Sequence, residues 1–223
     1  MRKTAFTEGE YYHVYNRGTE KREIFSDQND FARFVESLVE FNVREPIGSL
    51  LENTFRKKRR LLGGRTSKEA DQPLVNIVAY CLNPNHYHLI LEPVVEKGIE
   101  KYMQRIGTGY TMYFNNKYQR TGALFQGKFK AIHIDSNAYL LHVSAYVNLN
   151  NRVHRIGGST SKSSWAEYTR MNDRGRGGVQ GICTREAILG QFRKNEEYVV
   201  FAEDSLRGIL ERRSPLDESM LLE

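Results

Sequence analysis

The sequence predicts an α+β fold in which strands and helices follow one another in the order β-α-β-β-α-β, with a further helix after them. Short runs rich in β-branched and aromatic residues alternate with longer runs whose apolar residues recur at helical spacing. The turn signal Asn83-Pro84-Asn85 separates two adjacent apolar runs, which indicates a hairpin. A chain of 223 residues is long enough for one substantial core.

The first strand and the first helix precede a basic segment. Tyr11–Gly18 alternates aromatic and polar residues and ends in a turn signal, which predicts a strand. The next run begins at the cap candidates Ser26 and Asp27, and its apolar spacing predicts a helix. Residues 45–72 are basic and then rich in Gly, Ser and other polar residues without periodicity, so we expect an inserted, exposed loop.

Five further elements complete the predicted order. Leu74–Leu82 is apolar and β-branched, which predicts a strand buried on both faces, and His86–Pro93 is the next strand. Glu96–Tyr118 has apolar residues at helical spacing and predicts a helix. Ala123–Ile134 predicts a strand, and Asp135–Asn151 starts at a good N-cap and predicts a helix.

This order is the ferredoxin-like split βαβ arrangement, which predicts one mixed sheet with helices on a face. The strand that carries His86 and His88 is then central in the sheet. We expect residues 1–157 to form this domain, with the helix over Asp135–Asn151 added to it. We expect residues 158–223 to form a mostly helical C-terminal extension, in which we find no chemical signature.

The composition is compatible with a nucleic-acid-binding protein and argues against a membrane protein or a disulfide-rich protein. A net charge of +6 and a pI of about 9.2 are compatible with a nucleic-acid partner. The sequence lacks an apolar run of the roughly 18 residues that a membrane span needs, and its first residues lack an apolar signal segment. Two cysteines make no disulfide framework. We therefore expect a cytoplasmic protein.

Two histidines separated by one residue are the strongest chemical signal. His86 and His88 share one face of a strand, because side chains alternate along it, and two imidazoles can supply adjacent ligands to a divalent metal. A third ligand must come from elsewhere, and the helix after the last strand is the place to look. Four of its residues share a face: Tyr139, His142, Tyr146 and Asn150. Four apolar residues form another face, which we expect to dock on the sheet: Ala138, Leu141, Ala145 and Leu149.

Several longer blocks resemble a known family. NHYHLIL looks like the HUH motif (histidine, hydrophobic residue, histidine) of single-strand-specific nucleases, and the surrounding VAYCLNPNHYHLILEP resembles the single-tyrosine transposases. The blocks YYHVYNRGTEKREIF, LFQGKFKAI and YLLHVSAYVNLNN match as well, in the same order. The resemblance is to the REP-associated tyrosine transposase group in particular, and it spans Tyr11 to Arg155.

The resemblance implies a single-stranded DNA endonuclease and strand transferase that acts at a hairpin-containing site. Carried over to this chain, His86, His88 and Asn150 are metal ligands and Tyr146 is the nucleophile that forms a 5′-phosphotyrosine. The implied metal is Mg²⁺ or Mn²⁺, with Mn²⁺ the tighter binder because two of the three ligands are nitrogens. Relatives often carry proline where this chain has Asn151.

Basic residues supply the expected contacts to DNA phosphates, and these contacts would be salt-dependent. The candidates are Lys128 and Lys130 near the histidine pair and the run Arg56, Lys57, Lys58, Arg59 and Arg60. His142 is a further candidate, either for contacting DNA or for accepting a proton. Tyr11, Tyr12 and Tyr15 offer rings on which unpaired bases could stack.

Two other functions stay open from the residues alone. The histidine pair is compatible with a metal hydrolase or a structural zinc protein, and Cys81 lies close in sequence. A non-catalytic DNA-binding regulator could use the same fold. The sequence leaves open whether the protein is a monomer or a homodimer.

Overall fold

The computed structural model describes residues 5–48, 72–169 and 181–212. Its strands are β1 (Tyr11–Arg17), β2 (Val75–Asn83), β3 (His86–Pro93), β4 (Lys130–Ile134) and β5 (Lys162–Ser163). Its α-helices are α1 (Gln28–Glu40), α2 (Gly98–Lys117), α3 (Asn137–Asn148), α4 (Asn150–Val153), α5 (Trp165–Thr169), α6 (Glu186–Leu189) and α7 (Asn195–Arg212). The predicted α+β class and the order β-α-β-β-α-β are confirmed.

The described strands form one sheet in the order β4-β1-β3-β2-β5. β3 pairs with β1 on one side and β2 on the other, so the predicted central position of the strand with His86 and His88 is confirmed. Every pairing is antiparallel, and the prediction of a mixed sheet is wrong in this respect. In the split βαβ arrangement, a strand of one unit lies between the two parallel strands of the other, which leaves antiparallel neighbours.

Helices cover both faces of this sheet, whereas one covered face was predicted. Alternate side chains of β3 point to opposite faces. Tyr87, Leu89 and Leu91 join a core that includes the apolar faces of α1 and α2. Ile90 joins a second core that includes the apolar residues of α3 and α7. The predicted burial of β2 on both faces is confirmed, since only Asn76 along the strand is partly exposed.

The helix α1 begins at the predicted cap. The Asp27 carboxylate accepts a hydrogen bond from the Asp30 N–H (3.0 Å), and the Asp30 carboxylate accepts one from the Asp27 N–H (3.3 Å). This reciprocal capping box fixes where the helix starts. Asp30 is fully buried and also accepts from Lys117 Nζ (2.7 Å) and the Tyr118 hydroxyl (2.8 Å), so the same carboxylate holds α2 against α1.

The strand β4 is shorter than the predicted strand over Ala123–Ile134. It begins at Lys130, because the preceding segment turns twice at glycines with positive φ, Gly122 (86°) and Gly127 (72°). Lys128 therefore lies in the loop before the strand, although the predicted strand over Ala123–Ile134 included it.

The predicted helix over Asp135–Asn151 is divided in two. Ser136 caps α3 by accepting a hydrogen bond from the Tyr139 N–H (3.3 Å), and the helix breaks at Leu149 before α4 begins. The predicted docking face is partly wrong, because Ala138 is exposed and Leu141 only partly buried. The buried apolar residues lie on two sides of the segment, because both the sheet and α7 cover it; they are Leu140, Val143, Ala145, Val147 and Leu149.

The residues after 157 contribute to the same sheet and core. β5, which was not predicted, pairs with β2 at the edge of the sheet. In the predicted helical extension, α7 buries Tyr198, Ala202 and Leu206 in the second core. The boundary at 157 stays a prediction. The basic run at 56–60 lies outside the described residues. Among the helices of the described ranges, none combines the length and the apolar character of a membrane span.

A buried hydroxyl on α7 holds α3 in place. Tyr198 is fully buried, and its oxygen accepts a hydrogen bond from Asn148 Nδ2 (2.9 Å) and lies 3.0 Å from Ser144 Oγ. Asn148 Oδ1 in turn accepts from Ser164 Oγ (2.6 Å), and Ser164 is bonded to the backbone of Tyr80 on β2. One chain of hydrogen bonds therefore runs from the sheet through α3 to α7.

We expect Tyr198→Phe to lower the free energy of unfolding by about 1–3 kcal/mol, because it leaves the buried amide of Asn148 without an acceptor. Urea denaturation of the full chain measures this. The matched control is Tyr139→Phe, which removes an exposed hydroxyl and should change stability by less than about 0.5 kcal/mol. Equal stabilities for the two variants would contradict the structural role of the network.

Candidate active site

A tight hairpin places the two histidines at the start of the central strand. Asn83 pairs with His86, so β2 and β3 are joined by the two-residue turn Pro84-Asn85. The turn is fixed from outside the hairpin, because the carbonyl of Pro84 accepts hydrogen bonds from the N–H groups of Ile24 (2.7 Å) and Phe25 (3.0 Å). His86 and His88 then point to the face of the sheet that α3 covers.

The hydrogen bonds of His86 fix which of its nitrogens carries the proton. Nδ1 lies 2.6 Å from Asn85 Oδ1, an oxygen that can only accept, so Nδ1 carries the hydrogen. Nε2 is left with a lone pair, which accepts from Asn83 Nδ2 at 2.9 Å. Asn83 Nδ2 also donates to Asn150 Oδ1 at 2.6 Å. His86 Nε2 and Asn150 Oδ1 therefore both point lone pairs at one small region, and they lie 3.2 Å apart.

His88 lies one pleat further along the strand and is bonded on one side only. Its Nδ1 is 2.8 Å from Nε2 of His13, which comes from β1. Its Nε2 is buried and has no hydrogen-bond partner among the described residues, and the same holds for Asn150 Nδ2. Buried polar atoms usually have hydrogen-bond partners, so these two atoms indicate that a ligand can bind beside His88 and Asn150.

Tyr146 lies beside this cluster. It is half-buried on α3, and its ring meets the rings of His88 and His13 edge to face, with centroids 5.5 Å and 6.1 Å away. Tyr15 of β1 stacks on both histidines from another side, at 5.1 Å from His13 and 5.7 Å from His88. The structure thus brings together Tyr146, Asn150 and the histidine pair, four residues that the sequence predicts to share a site.

Burial keeps the imidazoles neutral. It lowers the pKa of His13 and of His86 to about 4, and neighbouring His154 adds to the effect at His86. Burial also lowers the pKa of His88 well below its ordinary value, and His13 contributes. A histidine must be deprotonated to bind a metal, so at neutral pH these rings are in the form that a metal ligand needs.

The donor atoms fit the divalent metal that the sequence predicts. Two ligands at neighbouring corners of an octahedral ion with bonds of about 2.1 Å are roughly 3.0 Å apart, close to the 3.2 Å between His86 Nε2 and Asn150 Oδ1. The unpartnered Nε2 of His88 is a third donor. Among the described residues, no three His, Cys, Asp or Glu side chains are grouped so as to hold a metal ion, and the third donor atom beside the two imidazoles is the carboxamide oxygen of Asn150.

Cys81 does not take part as a zinc ligand would. It lies opposite His88 on β2, but its thiol is fully buried and is 3.7 Å from Asn83 Oδ1. Burial raises the pKa of this thiol to about 12, which disfavours the thiolate that zinc binds. The hydrogen bond given for this thiol is to Asn83 and not to either histidine of the pair.

A cleft opens beside the histidines on the β1 side. Its lining consists of Tyr15, Asn16, Arg17, His86, Tyr87, His88, Gln126 and Lys130. Of the predicted DNA contacts, Lys130 lies on this wall, and Lys128 is exposed in the preceding loop. His142 is not brought to the site, because its ring contacts α7, 5.1 Å from Phe201 and 3.3 Å from Ser205 Oγ. Arg56, Lys57, Lys58, Arg59 and Arg60 lie outside the described residues.

Sequence reasoning assigned no role to three residues that the structure places at the site. His13 contacts His88, Asn83 lies between His86 and Asn150, and the ring of His154 is 5.0 Å from that of His86. The alternation of His13 with Tyr15 along β1 was a usable signal for a shared face, but the contact with His88 depends on how β1 pairs with β3.

The buried imidazoles predict that the protein loses stability in mild acid. Between a pKa of about 4 in the folded chain and the ordinary value of 6.5, the unfolded chain binds protons that His13 and His86 do not. The free energy of unfolding therefore falls as the pH drops from 6.5 towards 4, by about 1.4 kcal/mol per pH unit for each ring.

Urea denaturation at pH 7 and pH 5, with a chelator present, measures this loss. We expect His13→Phe to lose less stability than the unaltered chain, because it removes one of the buried imidazoles. An unaltered chain that is equally stable at both pH values would contradict the prediction.

Comparison with known proteins gives one family. Residues 58–151 match the sequence model of a family described as IS200-like transposases. A solved structure described as a REP-associated tyrosine transposase bound to a REP hairpin is 13% identical, with 71% of this chain and 74% of that chain covered and a TM-score of 0.44. No curated protein matches the chain. The family match confirms the resemblance drawn from the sequence: residues 58–151 are similar to the IS200-like transposases.

Proposed function

We propose that this chain is a metal-dependent single-stranded DNA endonuclease and strand transferase, with Tyr146 as the nucleophile, acting at a hairpin-containing site. The observation that carries the proposal is the meeting of α3 and α4 with β3. Tyr146 lies against His88, and Asn150, one turn later, meets His86. A nucleophile and three donor atoms for a metal are thus side by side. The hairpin substrate follows from the family resemblance.

The proposed reaction exchanges one phosphodiester for another. The bond between Tyr146 Oη and phosphorus forms, and the bond between phosphorus and the 3′ oxygen breaks. The products are a 5′-phosphotyrosine and a 3′-hydroxyl, which takes up a proton as the tyrosine loses one. Because the covalent link conserves the phosphodiester, attack by a 3′-hydroxyl can rejoin a strand without ATP.

The metal would be held by Nε2 of His86, Nε2 of His88 and Oδ1 of Asn150. A Mg²⁺ or Mn²⁺ ion bound there would polarise the scissile phosphate and neutralise charge that develops on it, which a phenol with an ordinary pKa near 10 requires. The chain's own contribution is rigidity. Both histidines are on the central strand, and the buried hydrogen bonds of Asn148 fix α3 and with it Tyr146.

The DNA strand would enter along the β1 side of the cluster. Arg17 and Lys130 put positive charge into the cleft next to the histidine pair, and Lys128 is exposed nearby. Arg17 is oriented by a hydrogen bond from its Nε to Gln126 Oε1. We include the basic run 56–60 in the proposed phosphate contacts, which predicts salt-dependent binding. Tyr15, whose ring lines the cleft, is placed to stack on an unpaired base.

We expect Tyr146→Phe to abolish the covalent DNA adduct, by at least about a thousandfold, while DNA binding changes little, because only the nucleophilic oxygen is removed. The assay incubates the full chain and a labelled single-stranded hairpin with Mn²⁺ and resolves the adduct on a denaturing gel. Tyr139→Phe, at an exposed tyrosine two turns earlier on the same helix, is the control and should retain the adduct. An adduct that persists in Tyr146→Phe would assign the nucleophile to another residue. Hairpin binding without an adduct in the unaltered chain would favour a regulator.

We expect His86→Ala and His88→Ala each to lower metal-dependent cleavage by at least about a hundredfold, since each removes a ligand that the remaining atoms cannot replace. The same gel assay, run over a Mn²⁺ titration, measures cleavage. His133→Ala, at an exposed histidine on β4, should cleave normally. Cleavage that survives a chelator in the unaltered chain would contradict the metal requirement.

A further inference from the structure

His13 contacts one histidine of the pair, His88, and has no role in the reaction proposed above. It lies on β1, opposite Ile90, and is buried. Its Nε2 is 2.8 Å from Nδ1 of His88, and the two rings are nearly parallel, with centroids 5.0 Å apart and an interplanar angle of 20°. This is a direct hydrogen bond between two imidazoles in the core of the molecule.

The direction of this hydrogen bond decides what His88 offers on its other side. If His13 donates, His88 must carry its own hydrogen on Nε2, where the described residues provide no acceptor. If His88 donates from Nδ1, its Nε2 is a lone pair. A neutral imidazole carries one hydrogen, so the contact between His13 Nε2 and His88 Nδ1 allows only these two arrangements. The second arrangement is the one in which Nε2 can bind a cation.

We propose that His13 is a positioning residue, which accepts a hydrogen bond from Nδ1 of His88 and so keeps Nε2 of His88 available as a ligand for a divalent cation. This inference rests on the proposed metal site. A ligating imidazole commonly donates its second N–H to an acceptor that fixes its orientation, and loss of that acceptor weakens metal binding. Here the acceptor is a second histidine on the neighbouring strand.

The surroundings hold His13 in the position that this role needs. β1 pairs with both β3 and β4, so the backbone of His13 is inside the sheet and cannot shift easily. The ring is stacked on Tyr15 and lies edge to face with Tyr146, at centroid distances of 5.1 Å and 6.1 Å. The imidazole is therefore fixed on several sides, and the acceptor that it presents to His88 is preorganised.

The test measures Mn²⁺ binding to the DNA-free full chain by calorimetry. We expect His13→Phe, which keeps a ring but has no acceptor, to bind Mn²⁺ about 10- to 100-fold more weakly. His13→Gln, whose carboxamide oxygen can accept from Nδ1, should recover most of the affinity. His133→Phe is the matched control, because His133 is exposed and pairs with Glu10 instead, and it should bind as the unaltered chain does.

Nitrogen-15 NMR of the metal-free, unaltered chain reports the same hydrogen directly and does not depend on whether a variant folds. We expect His88 to carry its hydrogen on Nδ1, and a hydrogen on Nε2 would overturn the inference. If His13→Phe and the unaltered chain bind Mn²⁺ equally tightly, the proposed role of His13 is wrong, whereas the proposed metal site stands. If the unaltered chain binds no Mn²⁺, the metal site of the proposed function fails, and the inference fails with it.

Discussion

The burial of neutral imidazoles between the centre of the sheet and α3 is the constraint on which the rest of the structure depends. His13, His86 and His88 are 7%, 3% and 2% exposed, and a charged ring at such depth would be strongly unfavourable. Neutral rings still need hydrogen-bond partners, which an apolar core does not supply. His13 and His88 partner each other, and Asn83 and Asn85 at the hairpin turn partner His86. The polar cluster is thereby stabilised within an otherwise apolar interface.

The cluster is useful only if α3 keeps its place above it, and residues far along the chain secure that place. Ser164 joins the backbone of β2 to Asn148, and Tyr198 of α7 bonds Asn148 from the opposite side. These three side chains are fully buried, so their hydrogen bonds are shielded from water. The segment after residue 157, in which the sequence shows no chemistry, therefore bears on the site through packing. Its contribution is to hold the helix that carries Tyr146.

The sequence predicts the helices and the longer strands well, because they follow local patterns. It predicts poorly the contacts that depend on how the strands pair. Spacing located the helices, because apolar periodicity reflects which face is buried, and the order of the elements placed the strand with His86 and His88 at the centre of the sheet. That His86, Tyr146 and Asn150 share one site was predicted from the resemblance of several sequence blocks to a known family. Residues about sixty positions apart show no local sequence pattern that would reveal their contact. The role of His13 was missed because it follows from the register of β1 on β3, which no single strand encodes. β5 was missed for a similar reason, as two residues are too few to show alternation.

Asn83 holds two acceptor atoms of the site at a fixed spacing. Two lone pairs 3.2 Å apart, on His86 Nε2 and Asn150 Oδ1, repel each other unless a positive group lies between them. The amide nitrogen Nδ2 of Asn83 provides this positive charge, because it donates to both acceptors. It lies 2.9 Å from His86 Nε2 and 2.6 Å from Asn150 Oδ1. The acceptors are thus held at a spacing close to that of neighbouring ligands of an octahedral ion. At the proposed metal site, a cation would replace the two hydrogen bonds from the amide of Asn83, and the strand and helix that carry His86 and Asn150 would keep their positions.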